Sequence, residues 1–184
     1  MTFALCVFCG SSSGTDPAYA GTAAQLGREI ASRGWTLVYG GGSVGLMGVL
    51  ADAVLDAGGR VVGVIPRFLY DREVGHDGLT ALEIVETLTE RKVRMGDLAD
   101  AFLTLPGGIG TMDELFEALS WAQLGLESKP NGLLNVGGYF DGLLEFLDEA
   151  VAAGFLTAAH RSLLRASPDL RELLDGLAAT QPRP

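Results

Sequence analysis

Two glycine-rich segments of the chain combine residue types that can bind a phosphate group. Gly40–Gly48 reads G-G-G-S-V-G-L-M-G, and Pro106–Glu114 reads P-G-G-I-G-T-M-D-E. Because glycine has no side chain, backbone N–H groups in such loops can approach an anion closely, and a helix that starts there adds its positive N-terminal end. Thr111 adds a hydroxyl group to the second segment. We predict that the two segments bind the phosphate of a nucleoside 5′-phosphate.

The first segment contains the G-x-G-x-x-G spacing of dinucleotide-binding loops, but its context differs. It follows the second predicted strand rather than the first. The next predicted strand ends in Ile65-Pro66-Arg67, where a dinucleotide site needs an acidic residue for the ribose. An NAD(P)-dependent dehydrogenase is therefore disfavoured. Tight turning and helix–strand packing are the alternative explanation for these glycines.

The second segment needs a cation from another part of the chain. It is not a Walker A loop, because no lysine follows its last glycine. Arg91–Arg94 reads R-K-V-R, and a spacing of four places Arg91 and Met95 on one face of a helix. The alternative is a solvated helix face on which Glu90 pairs with Arg94. We favour the phosphate site, because a chain with a net charge of −10 needs a local cation to hold an anion.

Glu114 allows two interpretations. Thr111–Glu114 has the spacing of a capping box, and acidic residues in a first helical turn complement the helix dipole, which is the role we assign to Asp113 and Glu117. A carboxylate beside a phosphate loop, however, repels the charge of the ligand, so its presence points to chemistry. The residues alone leave both interpretations of Glu114 open.

The histidines and cysteines lack the spacing of a metal or redox site. His76 and His160 have no carboxylate or cysteine partners at ligand spacing, so no metal site is predicted. Cys6 and Cys9 are three residues apart in a predicted strand, which places them on opposite faces of the sheet. We interpret them as two core thiols rather than a redox pair.

Strand and helix patterns alternate along the chain. The predicted strands are Phe3–Cys9, Trp35–Tyr39, Arg60–Ile65, Leu82–Val85, Ala101–Leu105 and Gly132–Val136. Helices are predicted to start near Pro17, Gly45, Thr87, Thr111 and Phe140, and two short helices follow, the second capped by Ser167 ahead of Pro168. Continuous apolar strands joined by helices predict an α/β fold, a Rossmann-like doubly wound parallel sheet with helices on both faces.

Three glycine or serine loops then follow strand C-termini, where such sheets bind ligands: Gly10–Ser13, Gly40–Gly42 and Pro106–Gly110. The polar segment Arg67–Leu79 lacks periodicity and is predicted to be an irregular active-site loop or lid.

Length and composition limit the organisation and the partners. Residues 1–180 are predicted to form one domain, with 181–184 as a frayed tail. The acidic net charge disfavours a nucleic-acid surface. No apolar run is long enough to span a membrane and the start lacks a signal-sequence pattern, so we expect a cytoplasmic protein without a membrane partner.

Taken together, these motifs resemble one enzyme family. The G-G-G-x-x-G-L-M-G of Gly40–Gly48, the E-R-K-x-x-M of Glu90–Met95 and the P-G-G-x-G-T-x-x-E of Pro106–Glu114 are similar in order and spacing to the LOG ("lonely guy") family. The C-G-S-S of Cys9–Ser12 also matches. The resemblance spans roughly Phe3–Ala153.

Members of that family are cytokinin riboside 5′-monophosphate phosphoribohydrolases, often mislabelled as lysine decarboxylases. The resemblance implies hydrolysis of the N-glycosidic bond of N6-substituted adenosine monophosphates, without a cofactor, and it implies Arg91 and Glu114 as the catalytic pair. The decarboxylase label is disfavoured, because neither Lys92 nor Lys129 has a setting suited to a Schiff base with pyridoxal phosphate. Thr89 is a departure, since many members have histidine there.

The motifs and the implied reaction together predict where a nucleotide is held. The expected ligand contacts are Gly107, Gly108, Gly110 and Thr111 for the 5′-phosphate, Arg91 and Lys92 as cations, Ser11, Ser12, Gly41 and Gly42 around the pocket, and Met95 against the base. Short family members are typically homodimers, which predicts a homodimer here with Glu114–Leu126 as a candidate interface helix. The alternative function is a non-catalytic carrier of a nucleotide or of the molybdenum cofactor, as in Rossmann-like relatives of the family.

Overall fold

The protein is an α/β fold built on one parallel sheet. The computed structural model describes residues 2–73 and 75–180, and the predicted tail at 181–184 lies outside them. Over the described residues, seven strands pair in the order β4-β3-β2-β1-β5-β6-β7, all parallel. They are β1 Ala4–Phe8, β2 Thr36–Tyr39, β3 Arg60–Pro66, β4 Ala81–Val85, β5 Ala101–Thr104, β6 Asn131–Leu134 and β7 Leu164–Ser167. The predicted parallel sheet is confirmed.

Helices cover both faces of the sheet. They are α1 Pro17–Ser32, α2 Gly45–Asp56, α3 Arg67–Glu73, α4 Leu88–Leu98, α5 Ile109–Gln123, α6 Asp141–Ala152, α7 Ala158–Arg161 and α8 Leu170–Ala179, with a 3-10 turn at Val136–Gly138. Buried side chains of α1, α2 and α8 form one core with one face of β1, and α4 and α5 pack on the other face. No helix among the described residues is both long and apolar enough to cross a membrane.

The two cysteines lie on opposite faces of the sheet, Cys6 within β1 and Cys9 directly after it. Cys9 belongs to the core under α1 and α2, whereas Cys6 belongs to the core under α4. Both thiols are free and buried, as predicted, and burial raises the pKa of each well above its ordinary value. They therefore contribute as small apolar side chains.

Local capping signals set the start of two helices as predicted. The Asp16 carboxylate accepts a hydrogen bond from the N–H of Ala18 at 2.8 Å, and Pro17 occupies the first turn of α1. At α4, the Thr87 hydroxyl accepts from the N–H of Glu90 at 3.1 Å. The Glu90 carboxylate accepts from the N–H of Glu86, one residue before the cap. The return bond of the capping box therefore goes to Glu86 rather than to Thr87.

The segment predicted as an irregular loop begins as a helix. Residues Arg67–Glu73 form α3 directly after β3. The chain then returns to the first glycine loop, where Gly75 pairs with Gly42 and the N–H of His76 donates to the carbonyl of Gly41 at 3.1 Å. The loop prediction was wrong over α3, because seven residues are too few to show a helical period.

The end of the chain contains a strand that the sequence analysis missed. Residues Leu164–Ser167 form β7, an edge strand parallel to β6 in which only the first and last residues are buried. Ser167 therefore ends a strand, and Asp169 caps α8 by accepting from the N–H of Glu172 at 3.0 Å. The predicted cap at Ser167 was wrong, because a four-residue edge strand carries too little apolar pattern to be recognised.

Candidate active site

Three loops meet where the strand order reverses. Strand β1 lies between β2 and β5, so the loops after these strands share one edge of the sheet. Gly10 ties them together: its N–H donates to the carbonyl of Pro106 at 3.1 Å, and its carbonyl accepts from the N–H of Leu46 at 3.0 Å. The three loops are far apart in sequence, and the parallel topology of the sheet brings them together at this edge.

A polar cavity of about 170 Å³ opens between these loops. Its walls come from the end of β1, from all three loops and from α2, α4 and α5: Val7, Cys9, Ser11, Gly40, Met47, Arg91, Gly108, Ile109, Gly110, Thr111 and Glu114. We call it the phosphate-side cavity. Six of the residues predicted to contact a nucleotide or to catalyse line it, namely Ser11, Arg91, Gly108, Gly110, Thr111 and Glu114.

The start of α5 presents backbone N–H groups to this cavity. The helix begins at Ile109, and the first N–H that bonds back into the loop is that of Met112, to the carbonyl of Gly108 at 3.1 Å. The N–H groups before it belong to the helix end that lacks internal acceptors and favours an anion. A Cβ added at Gly108 or Gly110 would meet no atom within 4 Å. The protein's own packing does not require glycine there, so the missing side chains leave room for a ligand.

Gly107 has a different reason to be glycine. A Cβ at this position would lie 2.1 Å from Oγ1 of Thr111 and 2.9 Å from the backbone nitrogen of Gly10. Glycine is therefore needed for the close approach of the two loops. Gly107 lines a second cavity rather than the phosphate-side cavity.

Glu114 does not cap α5. The residue that precedes the helix is Gly108, without a side-chain cap, so Glu114 lies in the second turn and Thr111 lies inside the helix. The capping-box interpretation was wrong, because the helix starts two residues before Thr111. The Glu114 side chain is only 12% exposed, and its Oε1 lies 3.9 Å from Nη2 of Arg91. A buried carboxylate paired with a guanidinium lines the phosphate-side cavity.

Arg91 is held by the ends of two strands. Its Nε donates to the carbonyl of Val64 at 3.2 Å, and its Nη2 donates to the carbonyl of Gly40 at 3.1 Å. A Cβ at Gly40 would lie 1.8 Å from Nη2, so only glycine leaves room for the guanidinium. These bonds fix the plane of Arg91 beside Glu114.

The Lys92 side chain pairs with carboxylates of α5 outside the phosphate-side cavity. Its ammonium forms ion pairs with Asp113, at 2.9 Å, and with Glu117. Burial opposes the charge of Lys92, but the hydrogen bonds to Glu117 and Asp113 outweigh it and raise the pKa. Asp113 and Glu117, predicted only to complement the helix dipole, thus join α5 to α4. Lys92 does not line the phosphate-side cavity.

The partner of Arg94 differs from the one considered within α4. Arg94 binds both oxygens of Glu83 on β4, at 2.6 and 2.9 Å, rather than Glu90. The pKa of the Glu83 carboxyl is lowered by this hydrogen bond. Glu83 takes the place of Glu90, the partner that the alternative interpretation of α4 offered, because the fold brings a strand carboxylate to the same guanidinium.

Four other predicted contact residues lie away from the phosphate-side cavity. Ser12 lines the second cavity. Gly41 is buried with φ +77°, and a Cβ there would contact Ile65 and Leu82 at 3.1 Å. Gly42 is also buried and pairs with Gly75.

Met95 is 1% exposed and packs in the core beneath α4. Its predicted contact with the base stays a prediction. Cys9 and Met47 also line the phosphate-side cavity, although neither was predicted to contact a ligand; both lie in the quoted motifs. Among the described residues, no three His, Cys, Asp or Glu side chains are grouped to hold a metal ion.

Gly108 provides a test of the phosphate-side cavity. We expect Gly108→Ala to weaken nucleotide binding about tenfold and to lower the melting temperature only slightly, because its methyl group enters ligand space and touches no protein atom, while alanine is a poorer helix N-cap than glycine. Titration calorimetry and thermal unfolding measure the two quantities. Gly142→Ala is the control, since it also adds a methyl group in open space but on α6. Unchanged affinity in Gly108→Ala would place the phosphate elsewhere.

Known proteins resemble this chain over nearly its whole length. A family model described as "Possible lysine decarboxylase" matches residues 47–177. The probable cytokinin riboside 5′-monophosphate phosphoribohydrolase LOGL9 of Oryza sativa subsp. japonica is 50% identical over 173 residues, which cover 94% of this chain and 76% of that protein. The cytokinin riboside 5′-monophosphate phosphoribohydrolase LOG7 of Arabidopsis thaliana is 48% identical over 178 residues, covering 97% and 82%.

A solved structure shares the fold at low identity. The molybdenum cofactor carrier protein of Chlamydomonas reinhardtii aligns with a TM-score of 0.74 and 20% identity over 98% of both chains. This likeness shows the fold alone. The identities of about one half to the plant enzymes, by contrast, hold over 94% and 97% of this chain. The chain therefore belongs to the family of cytokinin riboside 5′-monophosphate phosphoribohydrolases, the LOG family.

Proposed function

We propose that the protein hydrolyses the N-glycosidic bond of N6-substituted adenosine 5′-monophosphates, releasing the free base and ribose 5-phosphate. The observation that carries this proposal is the position of Glu114, paired with Arg91, in the same cavity as the open N-terminus of α5. Membership of the LOG family supports the same reaction. An anion site and a carboxylate would have little reason to share one cavity if the protein only bound phosphate.

The spacing along α5 suits a nucleotide. Thr111 and Glu114 are three residues apart, which is about 4.5 Å along a helix axis. A 5′-phosphate at Thr111 and the N–H groups before it would therefore leave the ribose beside Glu114, with the base beyond it. Holding the sugar in this way uses binding energy to lower the entropic part of the reaction barrier.

Glu114 can assist the bond cleavage electrostatically. As the bond from the anomeric carbon to the base nitrogen breaks, positive charge develops on the sugar and the electron pair leaves with the base. A carboxylate beside the anomeric carbon stabilises that charge and orients the attacking water, which supplies the hydroxyl group of ribose 5-phosphate and the proton of the released base. Arg91 fixes the carboxylate and offsets negative charge at the site.

A chromatographic assay tests the proposed reaction. The protein is mixed with N6-isopentenyladenosine 5′-monophosphate or with AMP, and release of the free base is followed with time. We expect release from at least one of these substrates in the absence of any added cofactor. Binding of both without release would instead favour the carrier function, which has the fold likeness to the molybdenum cofactor carrier as its support.

The assembly is a further part of the proposal. Apolar side chains are exposed along α5 and just after it, at Ile109, Phe116, Leu124 and Leu126. Such a stripe supports a homodimer in which α5 contributes to the interface. A cytoplasmic location and the absence of nucleic-acid and membrane partners stay predictions.

The assembly is testable by light scattering. We expect a dimer that Leu126→Glu converts to monomer, because a charge would be buried in the interface. Phe155→Glu is the control, since Phe155 is exposed on a different part of the chain. A wild-type monomer would contradict the proposed assembly.

A further inference from the structure

The crevice between the loops after β1 and β5 contains a second cavity that the proposed reaction does not use. Its volume is about 260 Å³, and it shares Ser11 and Gly108 with the phosphate-side cavity. Its other walls are Gly10, Ser12, Ser13, Gly14, Tyr19, Leu46, Pro106, Gly107 and Tyr139. We call it the aromatic cavity. The shared residues place the two cavities side by side across the start of α5.

The aromatic walls are held in place by the phosphate loops. The hydroxyl of Tyr139 donates to the carbonyl of Gly107 at 2.7 Å, and the Tyr139 ring meets that of Tyr19 edge-on at 5.6 Å. Gly14, with φ +72°, allows the Tyr19 ring to approach so closely that a Cβ would lie 2.7 Å from it. Two tyrosines are thus fixed beside the site although Tyr139 is 44% exposed.

The geometry of the proposed reaction leaves this cavity on the far side of the phosphate. Glu114 and Arg91 line the phosphate-side cavity and not the aromatic cavity. With the phosphate at the start of α5 and the sugar beside Glu114, the base extends away from Tyr19 and Tyr139. This step rests on the proposed function. The aromatic cavity therefore faces the phosphate oxygens that are not joined to the sugar.

We propose that the aromatic cavity binds a planar apolar group esterified to the 5′-phosphate, so that the protein binds nucleoside 5′-phosphodiesters as well as monoesters. A diester keeps one negative charge for the N-terminus of α5. Its second substituent leaves the phosphate past Ser11 and Gly108 and reaches the rings of Tyr19 and Tyr139, against which an aromatic group packs favourably.

Three ligands test this proposal: AMP, its phenyl ester and its methyl ester, the two esters joined through the 5′-phosphate. The esters carry the same charge and differ only in the ring. Affinities are measured by calorimetry in the Glu114→Gln background, which prevents turnover during the titration. We expect the phenyl ester to bind about tenfold more tightly than the methyl ester.

Variants locate the source of this preference. Tyr19→Ala is expected to reduce it to about one and to leave AMP affinity unchanged, whereas Phe146→Ala, which removes an exposed ring on α6, should preserve it. Equal affinities of the two esters before any aromatic residue is changed, or a preference that survives Tyr19→Ala, would overturn the proposal. Binding of AMP without the phenyl preference overturns this inference alone. Failure of all three ligands to bind overturns the proposed phosphate site as well.

Discussion

Replacing Glu114 by Gln is expected to lower the rate of base release about a thousandfold while nucleotide affinity changes less than about threefold. The amide has nearly the same shape as the carboxylate but carries no charge to stabilise the positive sugar. It also cannot accept a proton from the attacking water. Because phosphate binding depends on the start of α5, one turn away, the ground-state complex should persist.

Single-turnover chromatography and calorimetry separate these two effects. Asp113→Asn is the matched control, because Asp113 is the adjacent acid on α5 but pairs with Lys92 outside the phosphate-side cavity. We expect that control to retain turnover within about threefold. Base release at the wild-type rate by Glu114→Gln would remove Glu114 from the chemistry. A parallel loss of affinity would show that it acts in binding instead.

The fold could be predicted because its determinants are local. Continuous apolar strands such as β1 and caps such as Asp16 and Thr87 lie within a few residues of the elements that they define. The elements that were missed are short. Helix α3 has only seven residues, and β7 is an edge strand whose two middle residues are exposed, so neither shows enough of an apolar pattern to separate it from a loop.

The candidate site could be predicted only in part, for a related reason. The glycine loops are contiguous in sequence, and the parallel topology brings them together at one edge of the sheet. The partners of the side chains are distant: Arg91 bonds to Gly40, 51 residues away, and Tyr139 bonds to Gly107, 32 residues away. Helical spacing suggested a partner for Arg94 within α4, and the strand carboxylate of Glu83 could be found only from the fold.

Replacing Arg91 by Ala is expected to lower kcat/KM about a hundredfold and to destabilise the fold by about 2 kcal/mol. Without the guanidinium, the carbonyls of Val64 and Gly40 lose their donor, and the buried Glu114 loses an ion-pair partner. Arg91→Lys should not restore activity, because an ammonium cannot reproduce the planar arrangement. Lys92→Ala is the control and should retain activity within about threefold.

Gly40 tests whether Arg91 acts through its fixed position. In Gly40→Ala the added Cβ would lie 1.8 Å from Nη2 of Arg91, so the guanidinium must move although its charge is retained. We expect a loss of kcat/KM similar to that of Arg91→Ala, measured under the same conditions, with a folded protein confirmed by circular dichroism. Both changes disrupt the same contact between the guanidinium of Arg91 and the carbonyl of Gly40. The kcat/KM of the Gly40→Ala/Arg91→Ala double variant should therefore be little lower than that of Arg91→Ala alone. Losses that multiply would mean that Gly40 and Arg91 contribute independently, and that the carbonyl of Gly40 is not what positions the guanidinium beside Glu114.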